Sequence, residues 1–307
     1  MEKTPIHSMR TTVLDNRIFI KRDDLLPFSF GGNKYRKAMY YFEDLLSKGY
    51  NAVVTIGSAS SNHCRIIANL AIKHRIKCSI VSPLEFELPV VNRQLTKLLN
   101  ANIRVVEQES VRDTVDEEME NLKLRGFKPY RIEMGGHGFF GTKAYFDVYK
   151  EIKEYNESFD YIFFADGTGT THAGLLVGKT LLKGNEEIIG ISVLYEKEKG
   201  LGKVLSAANE YLMKDNITLD VDNVNYCDEY TLGGYGKTSN EVLKTILDVL
   251  VNDGIPLDHT YTGKAYFGML EYLKKNQIRN KSILFIHTGG TPIFFDTLSK
   301  LSEEDLA

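Results

Sequence analysis

The amino-acid sequence predicts an α/β protein with two open, twisted parallel sheets. Short β-branched apolar runs alternate with longer amphipathic segments, and most of the short runs are apolar at nearly every position. Strands of this kind are buried on both faces, as in a parallel sheet that helices cover on either side. Polar segments rich in glycine follow several of these runs. The pattern therefore predicts strands joined by crossover helices, with the informative loops at the strand ends.

The predicted elements follow this alternation in chain order. An extended segment is expected over 17–24, and strands are expected at 52–56, 78–81, 103–106, 130–132, 161–164, 188–193 and 283–286. The apolar periodicity predicts amphipathic helices at 62–74, 89–100, 114–125, 139–155, 171–182, 198–213, 240–252 and 263–276, and a further helix that begins near Asn33.

The order of these elements predicts two domains. Residues 43–149 form a compact set of alternating strands and helices, which we expect to be a small α/β domain. Residues 1–42 and 150–307 are expected to build a second, larger domain together. In open α/β sheets a ligand binds beyond the carboxyl ends of the strands, so we expect the functional residues there.

The composition is that of an ordinary globular protein, with 43% apolar and 26% charged residues among 307. The net charge of −3 does not favour a nucleic-acid partner. No apolar run approaches the roughly 18 residues of a membrane span, and the first residues lack the apolar stretch of a secretory signal. Cys64, Cys78 and Cys227 are too widely spaced for a metal pair or a disulfide framework. We therefore expect a cytoplasmic protein without a metal site.

Lys34 is the first candidate functional residue, because it lies where an extended segment passes through a glycine pair into a helix. Asn33 is expected to cap this helix, which places Lys34 in the first turn. The partial positive charge at a helix N-terminus disfavours an ammonium and so suits a nucleophilic amine that forms an imine. The alternative is a solvated surface lysine.

A loop rich in glycine and threonine follows the strand at 161–164. Gly167 and Gly169 permit a tight turn with exposed amides, and Thr170 and Thr171 add hydroxyl groups at a helix N-terminus. These groups suit a phosphate, although a plain turn with a threonine cap has the same composition. The loop lacks a P-loop lysine, and the next strand ends without a clear ribose-binding acid, so nucleotide and dinucleotide sites are disfavoured.

A second polar loop follows the strand at 52–56. Its Ser61 and Asn62 can hold a carboxylate or a phenolic oxygen, while an N-cap cluster explains the same residues. Two more polar stretches are notable: residues 258–264 precede a predicted helix, and residues 286–292 follow the last strong strand. Tyr235 lies in a glycine-rich loop, where it is either a turn residue or a site residue.

The histidines show no metal-ligand spacing. His7, His74 and His172 are expected to be structural or at the surface, and His63 and His287 lie nearer the expected site. A candidate imine lysine, a phosphate loop and a carboxylate loop are together the groups that pyridoxal 5′-phosphate (PLP) and a bound amino acid require.

These motifs, in this order, closely resemble those of the D-cysteine desulfhydrase and 1-aminocyclopropane-1-carboxylate (ACC) deaminase family. The resemblance extends from about Arg17 to Phe294. It implies a PLP enzyme of fold type II, similar to the tryptophan synthase β subunit, with PLP in the cleft between the two domains. Because members of the family are commonly dimers, it also implies a homodimer.

The resemblance implies a role for each candidate. Lys34 corresponds to the Schiff-base lysine, and Lys37 lies near the phosphate. Ser61, Asn62 and His63 match the loop that holds the substrate carboxylate, where Asn62 also contacts the phenolic oxygen of the cofactor. The phosphate loop of the family is matched by Gly167, Thr168, Gly169, Thr170 and Thr171. Tyr235 and Tyr261 match its two active-site tyrosines. Thr288 matches the position that faces the pyridine nitrogen.

Two positions bear on the reaction. Thr262 stands where ACC deaminases carry a glutamate, and Thr288 offers a neutral hydroxyl to the pyridine nitrogen. A weaker electron sink suffices for β-elimination with prompt loss of a thiolate, so we expect this reaction rather than ring opening. ACC deamination, and PLP binding without turnover, stay open as alternatives. Ser60 stands where the family usually has glutamine, which leaves the β-substituted amino acid substrate open.

Overall fold

The computed structural model describes residues 2–84 and 90–301, and the strands found there form two sheets. The larger sheet has the strand order β1 (Ile6–Ser8), β2 (Arg17–Arg22), β10 (Ser282–His287), β7 (Tyr161–Asp166), β8 (Glu187–Ser192) and β9 (Asn225–Cys227). The smaller sheet has the order β5 (Asn102–Val106), β4 (Lys77–Pro83), β3 (Ala52–Ile56) and β6 (Pro129–Ile132).

The helices lie mostly where the periodicity predicts them. They are α1 (Asn33–Ser47), α2 (Asn62–Lys73), α3 (Val90–Leu98), α4 (Val111–Leu124), α5 (Phe139–Lys153), α6 (Thr170–Leu182), α7 (Lys197–Leu212), α8 (Asn240–Asp253), α9 (Thr262–Lys275) and α10 (Thr291–Leu298). Within the described residues, none of them is both long and apolar enough to cross a bilayer.

The central strands of both sheets are buried on both faces, as the sequence predicts. In β7 the neighbouring residues Phe163 and Phe164 are fully buried and belong to different hydrophobic clusters. In β3 the same is true of Val53 and Val54. Because successive side chains of a strand point to opposite faces, each sheet has a core on both sides. The α/β class with parallel sheets is confirmed.

Some predicted details are wrong. The larger sheet is not wholly parallel, because β1 pairs with β2 in the antiparallel direction at its edge. Neither β1, β9 nor α10 is predicted, since each is a short element with little periodicity. Asn33 does not cap α1 but is its first residue, and Gly32 is the N-cap. Residue 89, where one helix is predicted to begin, lies outside the described residues.

The predicted domain boundaries at 42/43 and 149/150 both fall within helices, the first in α1 and the second in α5. The larger sheet draws its strands from residues 6–22 and 161–287, and the smaller sheet from residues 52–132. The division into two domains at those boundaries stays a prediction.

Candidate active site

Loops that follow strands of both sheets enclose a cleft. It contains about 610 Å³ of space free of atoms, counted to its open mouth. Its lining residues are Lys34, Gly57, Ser58, Ser61, His63, Met134, Gly135, Gly167, Thr168, Val193, Leu194, Tyr235 and Tyr261. Most of them lie just beyond the carboxyl ends of β3, β6, β7 and β8, where α/β sheets bind ligands.

Lys34 reaches the cleft from the first turn of α1. Its Nζ donates a hydrogen bond to the carbonyl oxygen of Gly135 at 3.2 Å. Burial lowers the pKa of Lys34 from 10.5 to about 8, although the charges of Asp166 and Cys64 act in the opposite direction. The amine is therefore a better nucleophile than an ordinary lysine, and the lowered proton affinity agrees with the sequence-based expectation.

Gly135 is a lining residue that the sequence does not single out. Its φ is +67°, and an added Cβ would lie 2.6 Å from Thr168 Oγ1 and 3.1 Å from Lys34 Nζ. Only a residue without a side chain permits this close approach of the two loops and the lysine. The available signal is the glycine pair Gly135-Gly136, which follows β6 as other glycine pairs follow other strands.

Lys37 lies beside the phosphate loop and is buried. Its Nζ donates to the hydroxyl oxygens of Thr170 at 2.8 Å and Thr171 at 2.9 Å. Within residues 2–84 and 90–301 no carboxylate forms an ion pair with it, and both burial and the charge of Lys34 lower its pKa well below the ordinary value. Hydroxyl groups and the face of the Tyr145 ring hold this buried cation without a counter-ion, which an anionic ligand would supply.

The phosphate loop offers further donors to an anion. Gly169, with φ +87°, precedes the first residue of α6, so the amides of that first turn have no partner within the helix. The buried Oγ1 of Thr168 has no hydrogen-bond partner among the described residues. The buried amine of Lys37, the amides of this first turn and the Thr168 hydroxyl together fit a phosphate, and the Lys34 amine in the cleft beside them fits an aldehyde.

Ser61 caps a helix and also faces the cleft. Its Oγ accepts a hydrogen bond from the Cys64 amide at 3.1 Å and so caps α2, and it also lines the cleft. The Oδ1 of Asn62 instead accepts from Asn92 Nδ2 at 2.9 Å, and Asn62 is not a lining residue. Ser60 is also buried behind the lining, where its amide donates to Ser58 Oγ at 3.1 Å.

His63 is fixed in one tautomer by its neighbour. The Thr55 hydroxyl donates to the carbonyl oxygen of Ile132 at 2.8 Å, and the same oxygen lies 2.7 Å from His63 Nε2. Because the hydroxyl hydrogen is already used, Nε2 must donate, which leaves Nδ1 as an acceptor. Burial lowers the pKa of His63 to about 3, helped by Lys34 and Lys37, so the ring is neutral at ordinary pH.

The two predicted tyrosines meet at the cleft. The hydroxyl groups of Tyr235 and Tyr261 are hydrogen-bonded to each other, and their rings pack edge to face with centroids 5.7 Å apart. Tyr235 comes from the loop before α8, and Tyr261 is the N-cap residue of α9. A pair of linked hydroxyl groups can donate or accept one proton within the cleft.

Thr288 and Thr262 do not line the cleft. The Thr288 carbonyl accepts a hydrogen bond from the Asn33 amide at 2.9 Å and so fixes the start of α1. The Thr262 hydroxyl donates to Asp258 Oδ2 at 2.7 Å. Asp258 also accepts from the amide of Tyr261 at 2.8 Å, so this buried carboxylate organises the start of α9.

Asp166 and His172 form a buried pair beneath the phosphate loop. Oδ2 of Asp166 lies 2.8 Å from Nδ1 of His172, whereas Asp166 Oδ1 and His172 Nε2 have no partner among the described residues. A side chain on Gly190 would collide with both, at 2.6 Å from the imidazole and 2.8 Å from the carboxylate. The buried position of His172 fits the structural role that the sequence predicts. The pairing of His172 with Asp166 is not predicted from the sequence.

The chain matches a protein family described as pyridoxal-phosphate dependent enzyme over residues 1–289. It is 35% identical over 285 residues to a protein of Pyrococcus abyssi (strain GE5 / Orsay) named "Putative 1-aminocyclopropane-1-carboxylate deaminase", covering 91% of this chain and 86% of that protein. It is 33% identical over 309 residues to a D-cysteine desulfhydrase of Yersinia enterocolitica, covering 95% of this chain and 92% of the relative.

A crystal structure of an ACC deaminase homologue superposes on this chain with a TM-score of 0.88 at 34% identity. The superposition covers 98% of this chain and 94% of the other. The similarity therefore includes both sheets and the cleft between their strand ends.

Proposed function

We propose a function for this chain from one premise: it belongs to the family of pyridoxal-phosphate dependent enzymes. It is a fold-type II member of the ACC deaminase and D-cysteine desulfhydrase group, and PLP is its cofactor. The proposed reaction is α,β-elimination from a β-substituted amino acid, with D-cysteine as the first candidate substrate. The products are then a 2-oxo acid, ammonia and sulfide.

The residues around the cleft suggest how the cofactor is held. Lys34 would carry the aldehyde carbon, and Lys37 would hold the phosphate with the hydroxyl groups of Thr168, Thr170 and Thr171 and the amides that follow Gly167 and Gly169. Asn62 is proposed for the phenolic oxygen and Thr288 for the pyridine nitrogen. When bound, PLP supplies an electron sink for the pair that remains after the α-proton leaves the substrate.

The proposed acid–base chemistry uses the amine of Lys34. With a pKa of about 8, a useful fraction of this amine is neutral near neutral pH, so it can accept the α-proton of a substrate in the cleft. Ser61, at the start of α2, is proposed to hold the substrate carboxylate with the free amides of that helix turn. Neutral His63 adds an acceptor without adding charge.

The tyrosine pair is proposed to serve the leaving group. Because the two hydroxyl groups are hydrogen-bonded, one can donate a proton to a departing thiolate while the other stabilises the resulting phenolate. The apolar side chains of Met134, Val193 and Leu194 line the same cleft and limit access of water to the reacting atoms.

The observation that carries elimination rather than ring opening is the charge of the cleft. Among its lining residues in the described part of the chain none is acidic, and Lys34 is the cationic one. A carboxylate at the pyridine nitrogen would keep that nitrogen protonated and strengthen the electron sink. Without it, the chemistry favours a substrate whose leaving group departs readily, as a thiolate does.

Parallel assays with two substrates test the proposal. We expect sulfide and 2-oxo acid from D-cysteine, with less 2-oxobutanoate from ACC. Lys34→Ala should abolish both the turnover and the pyridoxyl adduct that borohydride fixes on the protein. Faster release of 2-oxobutanoate from ACC than of sulfide from D-cysteine would contradict the proposed reaction.

ACC deamination is the second candidate function, because one relative is named "Putative 1-aminocyclopropane-1-carboxylate deaminase" and the superposed crystal structure is that of an ACC deaminase homologue. If purified protein binds PLP but converts neither D-cysteine nor ACC, a PLP-binding role without turnover replaces both proposed reactions. We further propose a cytoplasmic homodimer, which light scattering of the purified holoenzyme would test.

A further inference from the structure

The loop that carries Tyr235 has an unusual backbone. Leu232, Gly233, Gly234 and Gly236 all have positive φ values, between 53° and 119°. Positive φ costs a residue such as leucine about 1 kcal/mol or more, so surrounding contacts must hold the loop in place. At Gly233 and Gly234, however, nothing lies within 4 Å of the position that a Cβ would take. Leu232 packs against the hydrophobic cluster that includes Ala265 and Met269 of α9, but packing does not fix the two glycines that follow it.

A buried lysine on α9 contacts the loop instead. Lys264 has no exposed surface, and its Nζ donates to the carbonyl oxygens of Thr231 and Gly234, each at 2.9 Å. Burial lowers the pKa of Lys264 to about 8 against the opposing charge of Asp258. A buried cation whose acceptors are main-chain carbonyls is costly to maintain, so stability alone does not account for it.

The two carbonyl groups do not need this lysine for hydrogen bonding. The Thr231 oxygen also accepts from the Gly234 amide at 3.1 Å, and the Gly234 oxygen accepts from the Lys237 amide at 3.4 Å. Removal of the ammonium would leave both carbonyls with a partner. What the lysine adds is a fixed position of segment 231–234 relative to α9.

The first turn of α9 thus fixes both tyrosines. Asp258 accepts hydrogen bonds from the amides of Thr260 and Tyr261, at 2.9 and 2.8 Å, which sets the position of Tyr261. Three residues along the chain from Tyr261, the ammonium of Lys264 holds the segment that precedes Tyr235. The hydroxyl groups of the two tyrosines, one on each attached segment, are hydrogen-bonded to each other.

We propose that Lys264 is a positioning residue, which acts through Tyr235 by holding its loop against α9 so that the tyrosine pair is formed before substrate binds. This inference rests on the proposed function, in which the pair serves the leaving group. It assigns Lys264 no contact with substrate or cofactor.

A double-mutant cycle tests the inference. Lys264→Met keeps the length of the side chain without its donors, and Tyr235→Phe removes the hydroxyl that Lys264 is proposed to position. We expect Lys264→Met to lower kcat for sulfide release by about tenfold or more, since small misplacement of a reacting group has effects of that size. In the Tyr235→Phe background the same change should lower kcat by less than about twofold. Equal losses in both backgrounds would overturn the inference.

A second measurement does not depend on turnover. In holoenzyme with Lys264→Met, hydrogen–deuterium exchange should become faster in peptides covering 231–236 and stay unchanged in the loop at 57–61. Lys274→Met is the matched control on the same helix, because its exposed ammonium pairs with Glu271 at 2.8 Å. This control should change neither kcat nor exchange. Unchanged exchange at 231–236 in Lys264→Met would refute the positioning role.

The two measurements separate this inference from the proposed function. If the unmodified holoenzyme releases no sulfide from D-cysteine, the proposed function fails, while the exchange experiment still tests Lys264. If Lys264→Met does not fold, Lys264→Leu, which also removes the donors, takes its place in both experiments.

Discussion

Lys34 and Lys37 lie three residues apart on α1 and therefore on one face of the helix. Each is a lysine in a buried setting, and the charge of Lys34 contributes to the lowered pKa of Lys37. Such an arrangement disfavours folding of the protein without an anion. The sequence pattern Lys-Tyr-Arg-Lys thus prepares one position for an aldehyde and a neighbouring one for a phosphate.

Replacement of Lys37 by methionine should weaken PLP binding by about tenfold or more, because a charge-assisted hydrogen bond contributes about 1.5–3 kcal/mol. The thermal midpoint of the apoprotein should rise or stay unchanged, since the variant removes a buried cation that lacks a counter-ion. Equilibrium titration with PLP measures the affinity. Pyridoxal, which has no phosphate, is the control ligand. Its affinity for the Lys37→Met variant should equal its affinity for the unmodified protein. Equal weakening of both ligands would contradict a phosphate role for Lys37.

The lowered pKa of Lys34 has a consequence for pH dependence. The neutral amine fraction of the apoprotein increases about tenfold per pH unit below pH 8 and levels off above it. The rate of PLP uptake, followed by absorbance, should increase with pH in the same way. A lysine with an ordinary pKa would show this increase up to about pH 10.5. Continued increase well above pH 8 would contradict the burial of this amine.

The free energy of unfolding of the apoprotein should also increase with pH. The folded chain binds fewer protons at Lys34 than the unfolded chain between pH 8 and 10.5, so the contribution of this residue to stability increases as pH rises through that window.

At the scale of elements, the start of α1 depends on a glycine. Gly32 has φ +94° and ψ 172°, a conformation that is essentially restricted to glycine. A Cβ there would lie 2.7 Å from the carbonyl oxygen of Thr288. The contact joins the start of α1 to the loop after β10. An N-terminal and a C-terminal segment of the chain are therefore in contact at Gly32.

Gly32→Ala should therefore destabilise the protein by about 2 kcal/mol or more and weaken PLP binding, because the strain and the collision displace the first turn of α1. Gly49→Ala is the matched control, since Gly49 also has positive φ, +68°, but nothing lies within 4 Å of its added Cβ. We expect it to cost about 1 kcal/mol and to leave PLP binding unchanged. Urea unfolding and PLP titration of both variants check this, and equal effects would contradict a specific role of the contact at Gly32.

The sequence predicts an element well where burial imposes a regular pattern of apolar residues. It predicts an element poorly where a single tertiary contact determines whether the element forms or where it begins. Strands such as β3 and β7 are apolar throughout, and their positions are confirmed. The short strand β1 forms through pairing of Ile6 with Lys21, which no local pattern signals. In the same way Asn33 is a plausible cap by residue type, but the contact of Gly32 with Thr288 places the helix start one residue earlier than expected.

The same distinction applies to the cleft. Loops after strands are recognisable, so Ser61 and Thr168 could be named from the pattern, Lys34 from its place at a helix start, and both tyrosines from the family resemblance; all of them line the cleft. The apolar residues Val193 and Leu194 carry no chemical signature and are found only from the structure. Lys264 is missed for another reason: its function depends on two carbonyl groups some thirty residues earlier, and residue type reveals nothing about such a contact.

At the scale of the whole molecule, α1 links the two sheets. Its Phe42 and Leu45 are buried in the core of the smaller sheet, together with Val53 of β3. Its Arg36 points to the other side, where Nη2 lies 2.9 Å from Asp23 Oδ1, and Nη1 lies 2.7 Å from Glu151 Oε1 on α5. The helix that carries Lys34 is therefore anchored by apolar packing on one side and by buried ion pairs on the other.

Asp23 is the centre of this buried network. Burial would raise the pKa of its carboxyl group, but the charges of Arg36 and Lys21 and the hydrogen bonds from Arg36 and Tyr145 lower it below the ordinary value. Because the folded pKa is the lower one, the stabilisation from Asp23 is present above about pH 4 and is lost as the pH falls through the folded pKa.

Arg36→Met should lower the free energy of unfolding by about 3–5 kcal/mol, because it leaves the buried carboxylate of Asp23 and the partly buried one of Glu151 short of a partner. It should also weaken PLP binding, since the arginine holds the turn between Lys34 and Lys37 against Asp23. Lys123→Met is the control: its pair with Glu120 is exposed, at 53% and 66%, and exposed pairs contribute about 1 kcal/mol or less. Urea unfolding of both variants decides between the two sizes of effect. A loss for Arg36→Met no greater than that for Lys123→Met would mean that apolar packing alone fixes α1 between the sheets.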